Sequence, residues 1–259
     1  DLDNTRDNLR QAVMDQLNLN ASLPAISDAM GVAGLGSLDT NNVSVVGVSL
    51  GGIVGTVYAA VNQAALSADT AAGFTSNLSP LKGLVASVAG SQMTQVLNNS
   101  QTFAPVVQGG LAASNVFPNT DNYEKFLYVA QSAVASGDPV NFAGLLKQVG
   151  LPVLIQQING DTVVPNGSPD APLSGTEGLS ELLGANQLGV SAAANVTGTP
   201  GVVKLVNGAH SSLLSPAAGA EQVTAELQMQ VATFVVSSGA AVAVGGVAPL
   251  DIEEPIPAP

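Results

Sequence analysis

The chain has 259 residues, of which 46% are hydrophobic and 10% are charged, so it can bury the substantial core of one large α/β domain. Six Lys and Arg stand against nineteen Asp and Glu, and the formal net charge of −13 argues against nucleic acid or anionic lipid as an electrostatic partner. The absence of cysteine and the single histidine exclude thiolate catalysis and a metal centre built on a histidine cluster.

The N-terminal part predicts a helix, a loop, a strand and a second helix in that order. Residues 4–19 have the apolar spacing of an amphipathic helix, and a glycine-rich loop follows at 31–37. The β-branched run NVSVVG at 42–47 is typical of a buried parallel strand. The small residues of 51–68 predict a helix that packs closely on a sheet.

The rest of the chain continues this alternation. Further apolar runs predict strands, at 81–89, 151–158 and 201–206. The segment 90–150 is expected to be mostly helical. The segment 160–200 is expected to be mostly loop, with one short helix around 178–183, and 222–236 is the closing helix. Alternating strands and helices predict an α/β fold with a mainly parallel sheet covered by helices on both faces.

The pentapeptide GVSLG at 47–51 is a G-x-S-x-G motif between a predicted strand and a predicted helix, which is the context of a nucleophile elbow. We expect side chains at both flanking glycines to collide with neighbouring backbone. The turn lifts the Ser49 hydroxyl clear of the sheet and directs the Leu50 N–H to where an oxyanion forms. With 28 glycines in the chain, a chance match is the alternative.

Asp161 lies in the run NGDTVVPN, just after the predicted strand 151–158. Active sites of α/β enzymes are built at the C-terminal edge of the sheet, so Asp161 is the candidate acid. Its alternative role is that of a turn-forming residue after Gly160. The competing carboxylates are Asp138, which we expect to terminate a helix, and Asp170, which lies in a predicted loop.

His210 is the only histidine, and it follows the last predicted strand in NGAHSSLL. A lone histidine is more often a surface or core residue than a catalyst. Here, however, it completes the chain order Ser, Asp, His that this class of enzyme uses. Because a nucleophilic serine needs a base of near-neutral pKa and no other residue type here supplies one, His210 is the candidate base.

Together with these motifs, the segments RDNLRQAVMDQLNL and AQSAVASGDPVNF resemble bacterial extracellular lipases of the α/β-hydrolase fold. More narrowly, they resemble the virulence-factor lipase/lysophospholipase group of marine bacteria. The resemblance covers most of 1–236 but only the C-terminal portion of such proteins. It implies hydrolysis of acyl-lipid esters, no cofactor, and secretion or outer-membrane attachment. The catalytic Ser, Asp and His of that family map onto Ser49, Asp161 and His210.

The resemblance also implies that the first strands of the fold and the loop with the second oxyanion donor precede Asp1, because no HGGG-like motif occurs in the sequence. We therefore expect a partial catalytic domain at 1–238, a helical cap at 90–150 and a disordered acidic, proline-rich tail at 239–259. The apolar pieces 103–107 and 116–117 of the cap are candidates for acyl-chain contact, with ordinary packing of cap helices as the alternative.

The expected partner is a lipid or ester substrate, bound by a monomer without a transmembrane segment. Two other functions fit the same residues. One is hydrolysis of small esters or amides without lipid preference, and the other is a non-catalytic binding domain of the same fold. An intact set of three catalytic residues argues against the second, because binding alone does not require it.

Overall fold

The computed structural model describes residues 2–190, 199–216, 220–245 and 252–253. Within them the strands are β1 (Val43–Val48), β2 (Leu81–Ser87), β3 (Val153–Ile158), β4 (Asn186–Leu188) and β5 (Gly201–Leu205). They form one sheet in the order β1-β2-β3-β5-β4, and every neighbouring pair is parallel. The prediction of a mainly parallel sheet is confirmed.

The α-helices of the described residues are α1 (Leu2–Val32), α2 (Leu50–Ala71), α3 (Met93–Asn99), α4 (Ala104–Ala112), α5 (Asp121–Val134), α6 (Ala143–Gln148), α7 (Gly175–Leu183) and α8 (Glu221–Val236). Two short 3₁₀ helices join α5 to α6. None of these helices has both the length and the apolar composition needed to cross a bilayer.

Helices cover both faces of the sheet, as predicted. Side chains alternate along each strand, so Leu84 and Ile155 pack into one core with α2, α6 and α7. Val85 and Leu154 point to the opposite face and pack into a second core with α8. Because both faces of the central strands are buried, these strands are continuous apolar runs in the sequence.

The first helix is longer than the predicted 4–19, since α1 extends to Val32 through Pro24. Tertiary contacts support the continuation on both sides of the proline. Asn20 is buried and donates to Tyr58 Oη at 2.8 Å. Beyond the proline, the Ser27 hydroxyl accepts from the Leu38 N–H at 2.9 Å.

The segment predicted as loop at 160–200 contains the short strand β4, whose register aligns Asn186 with Gly201 of β5. Three residues of partly polar sequence carry no period-2 apolar signal, which is why this strand was missed. The residues 191–198 of this segment lie outside the described part of the chain.

The segment 90–150 is helical, as predicted, and carries α3 to α6. Its helices differ in burial: Tyr123, Leu127 and Ala130 of α5 are buried, whereas α4 has no buried residue. Whether the segment acts as a cap stays a prediction. Below it is called the insert.

The tail 239–259 was expected to be disordered, and its described residues, 239–245 and 252–253, differ from that expectation. Val242 is buried in the core beneath α8. Ile252 forms an antiparallel bridge with Leu205, and the Glu253 N–H donates to the Lys204 carbonyl at 2.9 Å. Apolar burial and strand pairing therefore hold the described tail residues on the domain.

The strand β1 forms one edge of the sheet and pairs only with β2 among the strands described. Val46 on this strand is 47% exposed. A strand upstream of the chain, as the resemblance implies, remains a prediction.

Candidate active site

The predicted elbow begins where β1 ends. Ser49 has φ 55° and ψ −121°, a region that non-glycine residues rarely occupy. The Ser49 N–H donates to the Ser87 carbonyl at 2.9 Å, and α2 starts at Leu50. The hydroxyl makes no capping hydrogen bond to the helix. The sequence G-x-S-x-G thus folds into a strained strand-to-helix turn that leaves the serine side chain available.

The glycines of the motif have unequal roles. A Cβ on Gly47 would lie 2.3 Å from the Gly51 carbonyl oxygen, so that position requires glycine. The expectation for Gly51 is wrong, because a Cβ there meets nothing within 4 Å. The close contact falls one residue later, where a Cβ on Gly52 would lie 2.6 Å from the Ala89 Cβ. Gly52 therefore allows α2 to lie close to the segment after β2.

Asp161 lies in the loop after β3, where the sequence placed it, and it is only 7% exposed. Its Oδ1 accepts from the Val163 N–H at 2.8 Å and the Val164 N–H at 3.1 Å. Its Oδ2 lies 2.6 Å from His210 Nδ1. The two backbone donors fix the carboxylate and leave one oxygen for the imidazole.

Asn166, the last residue of NGDTVVPN, was not singled out from the sequence. Its Oδ1 accepts from the Gly160 N–H at 2.8 Å, and its Nδ2 donates to the Ile158 carbonyl at 2.8 Å. Gly160 has φ +74°, which suits glycine in this tight turn. Asn166 therefore closes the loop that carries Asp161. In the sequence, the asparagine at each end of NGDTVVPN is the feature that could have indicated this role.

The histidine loop is held by α8. The Ala209 N–H donates to Ser212 Oγ at 2.8 Å, and the Thr224 hydroxyl of α8 donates to the Ser212 carbonyl at 2.6 Å. Gly208 has φ +138°, and a Cβ there would approach Ile158 and Val223 to 3.0 Å. The backbone between β5 and His210 therefore packs closely against Ile158 and Val223 at Gly208.

The structure brings Asp161 and His210 together as a hydrogen-bonded pair. An ionised carboxylate can only accept, so Nδ1 carries the proton and Nε2 of a neutral ring carries a free lone pair. His210 Nε2 is buried and has no hydrogen-bond partner within the described residues. No hydrogen bond therefore joins it to Ser49, although the loops carrying all three residues follow the C-terminal ends of parallel strands.

Asp138 is not part of this pair. It is fully buried, and its carboxylate accepts from the N–H groups of Gln92, Met93 and Val140 and from Gln131 Nε2, at 2.6–3.0 Å. It thus caps the start of α3. This role goes beyond the helix terminator predicted from the sequence, because two of its partners, Gln92 and Met93, are remote in sequence.

The insert is fastened to the residue after Asp161. The Thr162 carbonyl accepts from Ser100 Oγ at 3.2 Å and from the N–H and hydroxyl of Thr102, both at 3.1 Å. This carbonyl anchor holds the turn between α3 and α4 against the loop of the candidate acid.

Among the described residues, no group of three or more His, Asp or Glu side chains is placed to hold a metal ion.

No protein-family model matches the sequence, and no curated protein sequence matches it. One solved structure that resembles the chain is a mutant of a puromycin hydrolase complexed with PGG, with a TM-score of 0.40 and 17% sequence identity. The match covers 89% of this chain and 26% of that chain, so this chain spans about a quarter of that protein's length. A likeness at this TM-score carries no argument about function.

Proposed function

We propose that the chain is a serine hydrolase that cleaves carboxylic esters of acyl lipids. The observation that carries the proposal is the hydrogen bond between the buried Asp161 and the partly buried His210, whose Nε2 has no partner among the described residues. The strained turn that presents Ser49 supplies the nucleophile for this base. The resemblance to extracellular lipases supplies the substrate class.

In the proposed mechanism, Ser49 Oγ attacks the ester carbonyl carbon and His210 Nε2 takes the hydroxyl proton. Asp161 holds the ring in the required tautomer and stabilises the imidazolium. The Leu50 N–H donates to the developing oxyanion. The tetrahedral intermediate collapses, and His210 protonates the departing alcohol. Water, deprotonated by His210, then releases the carboxylic acid and restores Ser49.

The surface of the insert supports a lipid substrate. Phe103, Val106 and Phe117 are large apolar residues at the surface, and Val106 is 75% exposed. The α4 helix that carries Val106 has no buried residue, and Val106 itself does not pack into the core. This segment starts at the carbonyl anchor beside Asp161, where an acyl chain bound near Ser49 could contact it.

The cellular location belongs to the same proposal. Secretion or outer-membrane attachment follows from the resemblance alone, as does action by a monomer at a lipid–water interface.

Labelling by a fluorophosphonate probe tests whether the chain is an enzyme or a binding domain. We expect the wild-type protein to be labelled and Ser49→Ala to be unlabelled. Ser67→Ala is the matched control, because Ser67 is an exposed serine whose hydroxyl bonds only to the preceding turn of α2. Labelling at another residue would overturn the assignment of the nucleophile.

A chain-length series of p-nitrophenyl esters tests the substrate class. We expect Ser49→Ala to lose about 10⁴-fold or more of the rate without a change in thermal stability, because the hydroxyl contributes little to packing. A preference of the wild type for long acyl chains supports lipid esters. Equal rates along the series, or a preference for short ones, would favour the small-ester or amide hydrolase.

A further inference from the structure

The insert contains a polar trough that the proposed mechanism does not use. Two cavities of about 460 and 330 Å³ adjoin between α3 and α5, and both are lined by Gln95, Glu124 and Leu127. We call the two together the α3–α5 trough. Neither cavity is lined by Ser49, Asp161 or His210.

Carboxamides dominate the lining of this trough. Four Asn or Gln side chains line the larger cavity and five line the smaller one, with Gln95 shared between them. A carboxamide both donates and accepts hydrogen bonds, as a hydroxyl group does. Such a lining matches a ligand that presents several hydroxyl groups, each of which can donate to one amide and accept from another.

Buried contacts hold these carboxamides in place. The fully buried Asp138 accepts from the Gln92 N–H at 2.9 Å and from Gln131 Nε2 at 2.9 Å. Gln92 itself has φ +56°, a rare conformation for this residue type. Its Oε1 is buried without a hydrogen-bond partner in the part of the chain that the structure describes. This acceptor belongs to a side chain that lines the larger cavity.

The smaller cavity is organised in the same way. Asn98 Oδ1 accepts a hydrogen bond from the Tyr123 hydroxyl, and Asn99 Nδ2 donates to Gln95 Oε1 at 3.3 Å. Burial raises the pKa of Tyr123, so this hydroxyl stays protonated and continues to donate. Asn98 and Asn99 are therefore positioned before a ligand arrives, which lowers the entropic cost of binding.

The charge of the trough excludes anionic ligands. Glu124 lines both cavities and Asp170 lines the smaller one, while none of the described residues that line them is Lys or Arg. Phosphate and carboxylate groups are most often recognised by such cations, and nearby carboxylates repel them. At the rim, Tyr128 is 77% exposed, and its ring offers an apolar face to the C–H face of a sugar.

We propose that the α3–α5 trough binds a neutral sugar, either free or carried as the polar headgroup of an ester substrate. A peptide is the rival ligand for an amide-lined site. It is disfavoured because most of the lining residues lie in helices, whose backbone groups are used within the helices, and none of them lies in a strand that could offer a free edge.

Titration of the Ser49→Ala protein with maltose, cellobiose and lactose tests the site without hydrolysis. We expect saturable binding of a neutral disaccharide, monitored by NMR, and none of glucose 6-phosphate or trialanine. Gln95→Ala should raise the Kd about fivefold, in line with the loss of one net hydrogen bond. Gln11→Ala, an exposed glutamine on α1, is the control and should leave the Kd unchanged.

Tyr128 provides a second variant, chosen because its exposed side chain makes little contribution to the core. Tyr128→Ala should weaken sugar binding, whereas Tyr128→Phe should retain it, since the ring and not the hydroxyl makes the contact. Failure of all three disaccharides to bind, binding of trialanine in their place, or indifference of the Kd to Gln95→Ala would overturn the proposal.

A comparison of sucrose monolaurate with methyl laurate separates the two sources of the sugar, and this arm rests on the proposed esterase activity. If the sugar is a headgroup, Gln95→Ala lowers kcat/KM for the sugar ester alone. If it is a free glycan, the variant weakens disaccharide binding and leaves both esters unaffected. If the wild type hydrolyses neither ester, the proposed function fails, and the disaccharide titration still decides the site.

Discussion

The loop of Asp161 and the turn into α4 touch each other, but they are held in different ways. The acid loop is closed by Asn166 and by two N–H donors to Asp161 Oδ1. By contrast, α4 has no buried residue, and the turn before it is held by the carbonyl anchor at Thr162. The difference indicates that the fold fixes the candidate acid more firmly than it fixes α4, the surface proposed to contact substrate.

The largest expected effect comes from Asp161→Asn, which changes the candidate acid in the rigid loop and should lower kcat most. The amide cannot hold His210 in the same tautomer, so kcat should fall about 10⁴-fold with little change in unfolding. Asp170→Asn is the control on a carboxylate of the trough and should keep near wild-type kcat in p-nitrophenyl ester assays. If Asp170→Asn is the inactive variant, the acid has been assigned wrongly.

Asp138→Asn sharpens the same comparison through stability. The change places an amide nitrogen among four donors to a buried oxygen pair, so the free energy of unfolding should drop by about 1–3 kcal/mol. Denaturant titration measures the drop, and kcat of the folded fraction should stay near that of the wild type. Loss of kcat with full stability would give Asp138 a catalytic role.

The sequence allowed the candidate residues to be placed at strand ends because the signals for those ends are local. Ser49, Asp161 and His210 each follow an apolar run that is a strand in the structure. The end of such a run can be read directly from the sequence. The bond from Met93 to Asp138 and the contact of Gly52 with Ala89 join segments that are distant in the chain. No local residue pattern in the sequence predicts them.

Helix ends and short strands escaped prediction for a related reason. Pro24 predicts a helix boundary by propensity, yet the buried Asn20 and the bonded Ser27 carry α1 past it. Likewise, β4 exists because its backbone pairs with β5, which its three residues cannot indicate alone.

Asn166→Leu should have an intermediate effect on the acid loop. Loss of the two bonds to Gly160 and Ile158 allows the carboxylate to shift, and misplacement of a catalytic group costs up to about 100-fold in rate. We expect kcat to fall with little change in KM. Asn18→Leu on the exposed face of α1 is the control, and an equal loss in both variants would remove any specific role for Asn166.

The double change Ser100→Ala and Thr102→Val tests whether the carbonyl anchor at Thr162 holds α4 in place. It removes two hydroxyl donors from the carbonyl anchor, so amide hydrogen exchange in α4 should rise about fivefold to tenfold. The rate on p-nitrophenyl laurate should change more than the rate on the butyrate. The control pairs Ser67→Ala with Thr70→Val, whose hydroxyls bond only within α2. Unaltered exchange in α4 would contradict the anchor.

A substitution on the edge strand β1 should have the smallest effect on the candidate site. Its effect on solubility should be larger. A charge at the exposed Val46 should slow aggregation through the free strand edge, so Val46→Lys should remain soluble at higher concentration than the wild type. Val236→Lys places the same charge at an exposed position of α8 for comparison. Equal gains from both would show that the effect does not depend on the strand edge.

An upstream extension of the chain tests the strand that the resemblance implies. If that strand pairs with β1, the extended protein should show protected amides along Val43–Val48 and a higher esterase rate than residues 1–259 alone. A cooperative unfolding transition and full activity from residues 1–259 alone would show that no further strand is needed.

The backbone of Ser49 is held in a strained conformation, and the same conformation presents the hydroxyl as the proposed nucleophile. A serine held at φ 55° costs on the order of 1–3 kcal/mol, which the surrounding helix and sheet must overcome. Strain at this turn is released when the turn relaxes, so we expect denaturant to abolish the proposed esterase activity at a lower concentration than it unfolds the core.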